Sequence, residues 1–476
     1  MALTTEEEAK VKKIITAYDN GKRLNELPVA DSSNPFDLTT EVLDKSGESK
    51  QAGLAAMLPY AEDQCSYGVE LDVTVSSSVL TRTGNMTLHK TLPIQSKMKG
   101  CLLSDEGKVI EYLNPTNWKA HKRDGSNGMV MVEIPAHWRR FYTNGNKRGV
   151  RISEYPIPGY HFVKKCYISA YEATIQRSTG KLASVVNTST DYRGGNNQAD
   201  WDALPKSQLG KPATSTSRTN FRAAARKRGA GTQWNCMDYN AYITLAWLYY
   251  IEYGNLNCQL AFNAQKDSNG YAQGGLGNGV TTWDGTKWNN FNGYNPIIPC
   301  GTSDELGNAS GEVAYTLEKA EEEESSKVFT VPRYRGIENP FGHVWKWTDG
   351  VNIEVKTNSD GGTSKVYVCD DPSKYNDSNY TGYTLRGLAA RAEGYAKEMI
   401  FGEFGDLIAS VVGGGSTTYW CDYFYTNIGS NALRGVLFGG ITYAGDLAGF
   451  GCASTSDAPS ATGAAVGSRL CFIPES

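Results

Sequence analysis

The residues of this 476-residue chain that could carry catalysis or hold an ion are few in kind. Ten cysteines stand at positions 65, 101, 166, 236, 258, 300, 369, 421, 452 and 471. No two of them form a CxxC pair, so zinc-ribbon spacing is missing and the even number defines no disulfide framework. Most are read as buried thiols. The five histidines, at 89, 121, 137, 161 and 343, show neither HExxH nor a paired spacing, and His343 inside FGHVW reads as structural. GGLGNG at 274–279 follows no apolar strand and opens no helix, which argues against a phosphate cradle. The expectation is a protein that is not an enzyme, with no catalytic residues, no cofactor and no metal. The chemistry left is recognition. It falls to GGITYAGDLAGFGCASTSDAPSATGAAVGSRLCF, Gly439 to Phe472, where apolar, small and polar residues follow no period before a firm closing strand.

Bulk composition narrows the class. Hydrophobic residues at 40% and charged ones at 21% are those of a folded chain, and 51 glycines point to many turns and few long helices. A net charge of −4 argues against nucleic acid as a partner, because such binders carry a basic face. MALTTEEEAKVKK lacks the basic and apolar regions of a signal peptide, and no run approaches ~18 apolar residues, so membrane insertion is not expected. The length calls for a large core and two or more domains.

The elements that must position the recognition segment can be read in order. TTEEEAKVKKIITAYD, 4–19, reads as a helix with a Thr5–Glu8 capping box and an apolar stripe of Val11, Ile14, Ile15 and Tyr18. The next hundred residues alternate short strands and turns, giving a small, mostly β unit that ends near the turn-rich HKRDGSNG at 121–128. GMVMVEIPAHWRRF (128–141) is expected as a strand ending at Pro135, and KKCYISAYEATIQRS (164–178) as another strand region. A helix capped by Asn235 or Asp238 runs through Tyr239, Tyr242, Ile243, Ala246, Trp247, Tyr250 and Tyr253 to Gly254, aromatic on most faces and hence buried. Residues 255–310 suggest an ordered insertion, and EKAEEEESS (318–326) a solvated tip. Strands resume through PRYRGIENPFGHVWKWTDGVNIEV, GGGSTTYWCDYFYT, RGVLFGG and SRLCFIP.

Taken in order, these pieces resemble the formylglycine-generating-enzyme type of C-type-lectin fold. GMVMVEIPAHWRRF is similar to its opening strand, CYISAYEAT to the next, NPFGHVWKWTDG to its "GNVWEWT" turn, and GGGS and SRLCF to its closing strands. The resemblance covers 128–474 and implies an α+β fold of two parts: an N-terminal attachment or oligomerisation domain over 1–124, mostly β with one helix, and a lectin-like ligand-binding domain over 125–476. Within that superfamily the chain resembles variable proteins of diversity-generating retroelements, such as phage receptor-binding and tail-associated proteins. In those systems template adenines are replaced, so varied Asn codons do not yield Lys, Glu, Gln, Met or Trp. These five types make up 83 of the 476 residues, so a 26-residue window would hold roughly four. Residues 441–466 hold none.

The resemblance therefore implies a variable region at about 441–466, with Ile441, Tyr443, Ala444, Asp446, Leu447, Gly451, Cys452, Ser454, Ser456, Asp457, Ala461, Gly463 and Ala465 as ligand-binding positions. AGF and AP within it look fixed. Tyr443 is the expected anchor, being large, amphipathic and cheap to immobilise. Buried indoles of Trp234, Trp247, Trp345, Trp347 and Trp420 are expected to supply the stability that lets the segment vary. The implied function is attachment of a virion to a bacterial surface receptor, a glycan or a protein. The chain would be made in the bacterial cytoplasm, joined to other tail proteins, and homo-oligomeric, by family resemblance a trimer that binds through avidity. A purely structural virion protein is the alternative. The oxidase activity of formylglycine-generating enzymes needs two nearby cysteines for soft copper, and here Cys452 stands alone in the matching stretch. The calcium signature of sugar-binding lectins is also scrambled, with ENP at 338–340.

Overall fold

The computed structural model describes residues 39–43, 49–53, 62–281, 283–286, 288, 294–317 and 327–475. The expected helix at 4–19 and the acidic tip at 318–326 lie outside these residues. The described chain is mostly β rather than an even mixture, with Arg218–Arg226 and Tyr239–Tyr253 as its longer helices. The reason is compositional: strand formers and glycine-rich turns fill almost every segment, and few stretches carry a helical period.

Three sheets organise the chain around the long helix. One has six strands in the order Trp234–Cys236, Leu470–Phe472, Cys166–Ser169, Met129–Ile134, Lys99–Leu103 and Val109–Tyr112. A second has five, built on His137–Asn144, Lys147–Ser153 and Ser66–Asp72. The expected strand 128–141 is therefore two strands in two sheets, Met129–Ile134 and His137–Asn144, because Pro135 cannot donate to a ladder and the chain turns there. Strands on the two sides of the loop that holds the expected boundary at 124–125 pair with each other. Lys99–Leu103 pairs with Met129–Ile134 and Ser66–Asp72 with Lys147–Ser153, so strands from residue 66 onward share sheets with strands beyond residue 128.

The third sheet runs Thr384–Leu388, Ser364–Val368, Trp345–Val355, Ala432–Phe438, Ala453–Thr455, Tyr423–Thr426, Gly394–Phe401 and Asp406–Val412. It curls until its two edges nearly meet: Ala390 N–H donates to Ala409 O at 2.8 Å just beyond the first strand. Curling of this kind leaves little open edge for pairing with other chains.

The helix Tyr239–Tyr253 is buried along its length apart from the half-buried Asn240. Asp238 caps its start, accepting from Ala241 N at 3.0 Å, and Gly254 ends it in the left-handed region at φ 64°. Burial pushes the Asp238 carboxyl up to about 6, although the Tyr375 hydroxyl donates to it at 2.5 Å. Trp247 packs edge-on against Trp420 and Phe401, and its indole N–H donates to Gly405 O at 2.8 Å. Trp234, Trp247, Trp347 and Trp420 are all buried. Residues 255–310 carry short paired strands, and Val280, Trp283, Tyr294 and Ile298 form a cluster of their own with Leu317, Phe329 and Val331. Among the described residues no helix is long and apolar enough to cross a membrane.

Candidate binding face

Residues 441–466 run between two sheets. The strand before them, Ala432–Phe438, belongs to the curled sheet; Val466–Gly467 pairs in parallel with the start of Trp345–Val355 in that sheet, and Leu470–Phe472 beyond it lies in the six-stranded one. Their path is fixed at close intervals. Ile441 bridges His343 through the backbone, Gly435 N–H donates to Asp457 O at 2.9 Å, Arg218 N–H to Pro459 O at 3.0 Å, Ser215 N–H to Gly463 O at 2.9 Å and Trp345 N–H to Ala465 O at 2.8 Å. Ala453–Thr455 is an interior strand, parallel to Tyr423–Thr426 and antiparallel to Ala432–Phe438.

Two pegs hold the first half. Phe450 is fully buried among Tyr249, Phe341 and Tyr242, at ring distances of 5.0, 5.4 and 6.2 Å, and the Tyr242 hydroxyl donates to its carbonyl at 2.8 Å. Asp422 is the other peg. Gly451 N–H donates to Asp422 Oδ2 at 2.6 Å, and Gln259 Nε2 donates to Asp422 Oδ1 at 3.1 Å while also reaching the carbonyls of Asp446 and Ala448. Burial pushes the Asp422 carboxyl well above the usual carboxylate range, and the Gly451 N–H only partly opposes it. Beneath the start of the segment lies a buried charge cluster. Glu172 contacts His343 and Lys346, and although burial opposes its charge, those two partners hold its carboxyl down at about 2. The structural role expected of His343 is visible here, since its Nε2 also accepts from Ile298 N at 2.9 Å.

This path sorts the expected ligand positions into two groups. Ile441, Ala444, Gly451, Cys452, Ser454 and Ala465 are buried, so as folded they offer no side chain to a ligand. Their burial follows from the strand inserted at Ala453–Thr455 and from the small cluster of Ile441, Ala444, Ala448 and Ala465. The scatter of Ile, Ala and Cys there is packing, not free surface. Tyr443, Asp446 and Asp457 are exposed, and Leu447, Ser456, Ala461 and Gly463 are half-buried. The outward surface thus comes from two arcs, 443–447 and 456–466. Ala448, Phe450 and Pro459, in the pieces that looked fixed, are all buried.

Trp345 corrects the list of buried indoles. It is only half-buried, packs against the cluster of Ile441, Ala444, Ala448 and Ala465, and is the parallel strand partner of Val466. Trp345 is the first residue of Trp345–Val355, at the end of the strand, and the chain is buried on both faces from Lys346 and Trp347 onward. Its ring meets Tyr425 edge-on at 5.9 Å, Tyr425 meets Tyr423 at 4.6 Å, and Tyr423 meets Tyr395 at 5.4 Å. All four rings are half-exposed. Tyr423 and Tyr425 share a face because Phe424 between them points into the core, and Tyr395 is the cross-strand partner of Tyr423. Tyr443, at 53% exposure, stands beside Trp288 at 5.5 Å. Burial raises the Tyr395 hydroxyl to about 12, helped by the neighbouring Asp446 carboxylate. Burial raises Tyr425 further, with Tyr443, Tyr423 and Glu393 among the neighbours that add to it. The rings therefore join the outward arcs into one face. Tyr395, Tyr423, Tyr425 and Trp288 were missed in the sequence, although the Tyr-Phe-Tyr alternation of 423–425 was a readable signal for an aromatic outer face.

No protein-family model matches the chain, and no curated protein matches it. Among solved structures it is similar to the U1, I1 and M1 variants of a Major Tropism Determinant, at 11%, 12% and 11% identity. The alignments cover 71%, 71% and 72% of this chain and 72%, 72% and 73% of those, with TM-scores of 0.20, 0.21 and 0.20. A likeness at that level carries no functional argument, and function rests on the residues themselves.

Proposed function

We propose that this chain is a non-enzymatic receptor-binding protein of a phage virion, which attaches to a bacterial surface through the face formed by the outward arcs of 441–466 and the rings beside them. One observation carries the reading. A segment without Lys, Glu, Gln, Met or Trp follows a path pinned by backbone hydrogen bonds and by Phe450, while its outward side chains meet a row of half-exposed aromatic rings. Preorganised groups lose little entropy on binding, and tyrosine supplies contact area with few torsions to freeze. Retroelement diversification is part of the proposal, and the burial of 448–455 confines it to the two arcs. The chain acts as a homo-oligomer, a trimer, whose copies add weak contacts into firm attachment.

The packing of the middle of the segment as a sheet strand favours one rival, a structural virion protein whose small residues there serve packing alone. Binding of the purified chain to a panel of bacterial isolates separates the two. The proposal expects binding to some isolates, weakened by Tyr443→Ala; a structural protein binds none. Sequences of the same locus from sibling isolates add a second check, with differences expected at 443–447 and 456–466 and not at 448–455.

A further inference from the structure

The aromatic row has a chemistry of its own. Trp345, Tyr425, Tyr423 and Tyr395 lie side by side, each in ring contact with the next. Tyr395 stands on a strand paired with that of Tyr423 and Tyr425, and Trp345 at the start of another strand of the same sheet, so their positions are set by strands and not by a loop. The rings meet at steep angles, 87° for Trp345 and Tyr425 and 79° for Tyr423 and Tyr395, so they form a stepped surface, and the cavity of about 720 Å³ lined by residues such as Arg139, Phe162 and Phe404 includes none of them. A protein partner gains most of its affinity by filling pockets with buried anchors. Flat rings with hydroxyls at their edge match instead the apolar C–H face of a pyranose, whose own hydroxyls need acceptors around the rim.

The rim supplies them and sets the charge preference. Asp446 stands beside Tyr395, and Glu393 neighbours Tyr425 while accepting from Thr426 N at 3.1 Å. Lys397, two residues beyond Tyr395 on its strand, lies over the Tyr419 ring at 5.4 Å, and Lys346 is buried against Glu172. The carboxylates beside the row disfavour sialylated or sulfated sugars through like-charge repulsion.

We infer that the Tyr395–Tyr423–Tyr425–Trp345 row is a stacking platform for a neutral saccharide, so that the ligand of the proposed receptor-binding face is a surface glycan. This inference rests on that receptor-binding reading. The test uses the full chain and isolates that bind it, either shaved with protease or oxidised with periodate, which cleaves vicinal diols. Retention of binding after protease and loss after periodate are expected. Tyr423→Ala and Tyr425→Ala are each expected to weaken binding at least tenfold, whereas Tyr423→Phe keeps the ring and the binding, with melting curves confirming that each variant folds. In gel retardation, dextran, mannan or laminarin is expected to slow the wild-type chain more than heparin or polysialic acid. Loss of binding after protease but not periodate, or full binding by both alanine variants, overturns the glycan inference and leaves receptor binding standing. Absence of binding to every isolate instead defeats the receptor-binding reading itself.

Discussion

Phe450 and Tyr443 lie seven residues apart in a segment that reads as uniformly irregular, yet they carry opposite duties. Phe450 is surrounded by the rings of Tyr249, Phe341 and Tyr242. Phe450→Ala leaves a cavity there and is expected to cost about 3–5 kcal/mol, read as a lowered midpoint in chemical denaturation. Tyr443 projects outward beside Trp288. Tyr443→Ala is expected to leave stability within about 0.5 kcal/mol. On cells that bind the wild type, the same change is expected to weaken binding by about 2 kcal/mol, roughly thirtyfold. A Tyr443→Ala chain that binds as before removes Tyr443 from the site. Gly449 is constrained for a steric reason, since a Cβ there would stand 2.1 Å from Asp422 Oδ1. Gly449→Ala is expected to destabilise by about 1–3 kcal/mol, through displacement of that carboxyl.

At the scale of elements, the join between the segment and the curled sheet is pH-sensitive through Asp422. Its folded carboxyl is raised by burial, so the native chain keeps a proton that the unfolded chain releases near pH 4. The stability this proton contributes is complete below the unfolded value and is lost as pH rises through the raised folded one. Asp422→Asn removes the titration. Melting temperatures of the two chains, measured across pH 4 to 9, are expected to shift steadily in the variant's favour as pH rises, whatever fixed cost the amide brings at pH 4. A constant difference across that range would show that Asp422 does not hold the proton. The Ala453–Thr455 strand depends on this join, because Gly451 N–H bonds to Asp422 only two residues before it begins.

For the whole molecule, the expectation is a segment with two distinct responses to substitution. A stability scan across 441–466 is expected to give changes within about 0.5 kcal/mol at Tyr443, Asp446, Ser456, Asp457, Ser460 and Thr462. Large polar substitutions at Ile441, Ala448, Cys452 and Ala453 are expected to unfold the chain, because each is buried. A flat profile along the segment would contradict the burial of its middle and the exposure of its two arcs.

The long helix and the unusual composition of 441–466 were both legible in the residues alone. The 3.6-residue period with Asp238 before it and Gly254 after it defines the long helix, because capping and periodicity are local properties of the chain. The want of five long residue types in 441–466 singles out the segment, and composition needs no fold to be seen. Which of its side chains face outward was decided by tertiary structure. Inserting Ala453–Thr455 between Tyr423–Thr426 and Ala432–Phe438 buries the middle of the window, and pairing within the same sheet brings Tyr395 beside Tyr423 and Tyr425, with Trp345 next to them. Strand pairing and ring contact across such separations depend on which chain segments meet, and no local pattern records that.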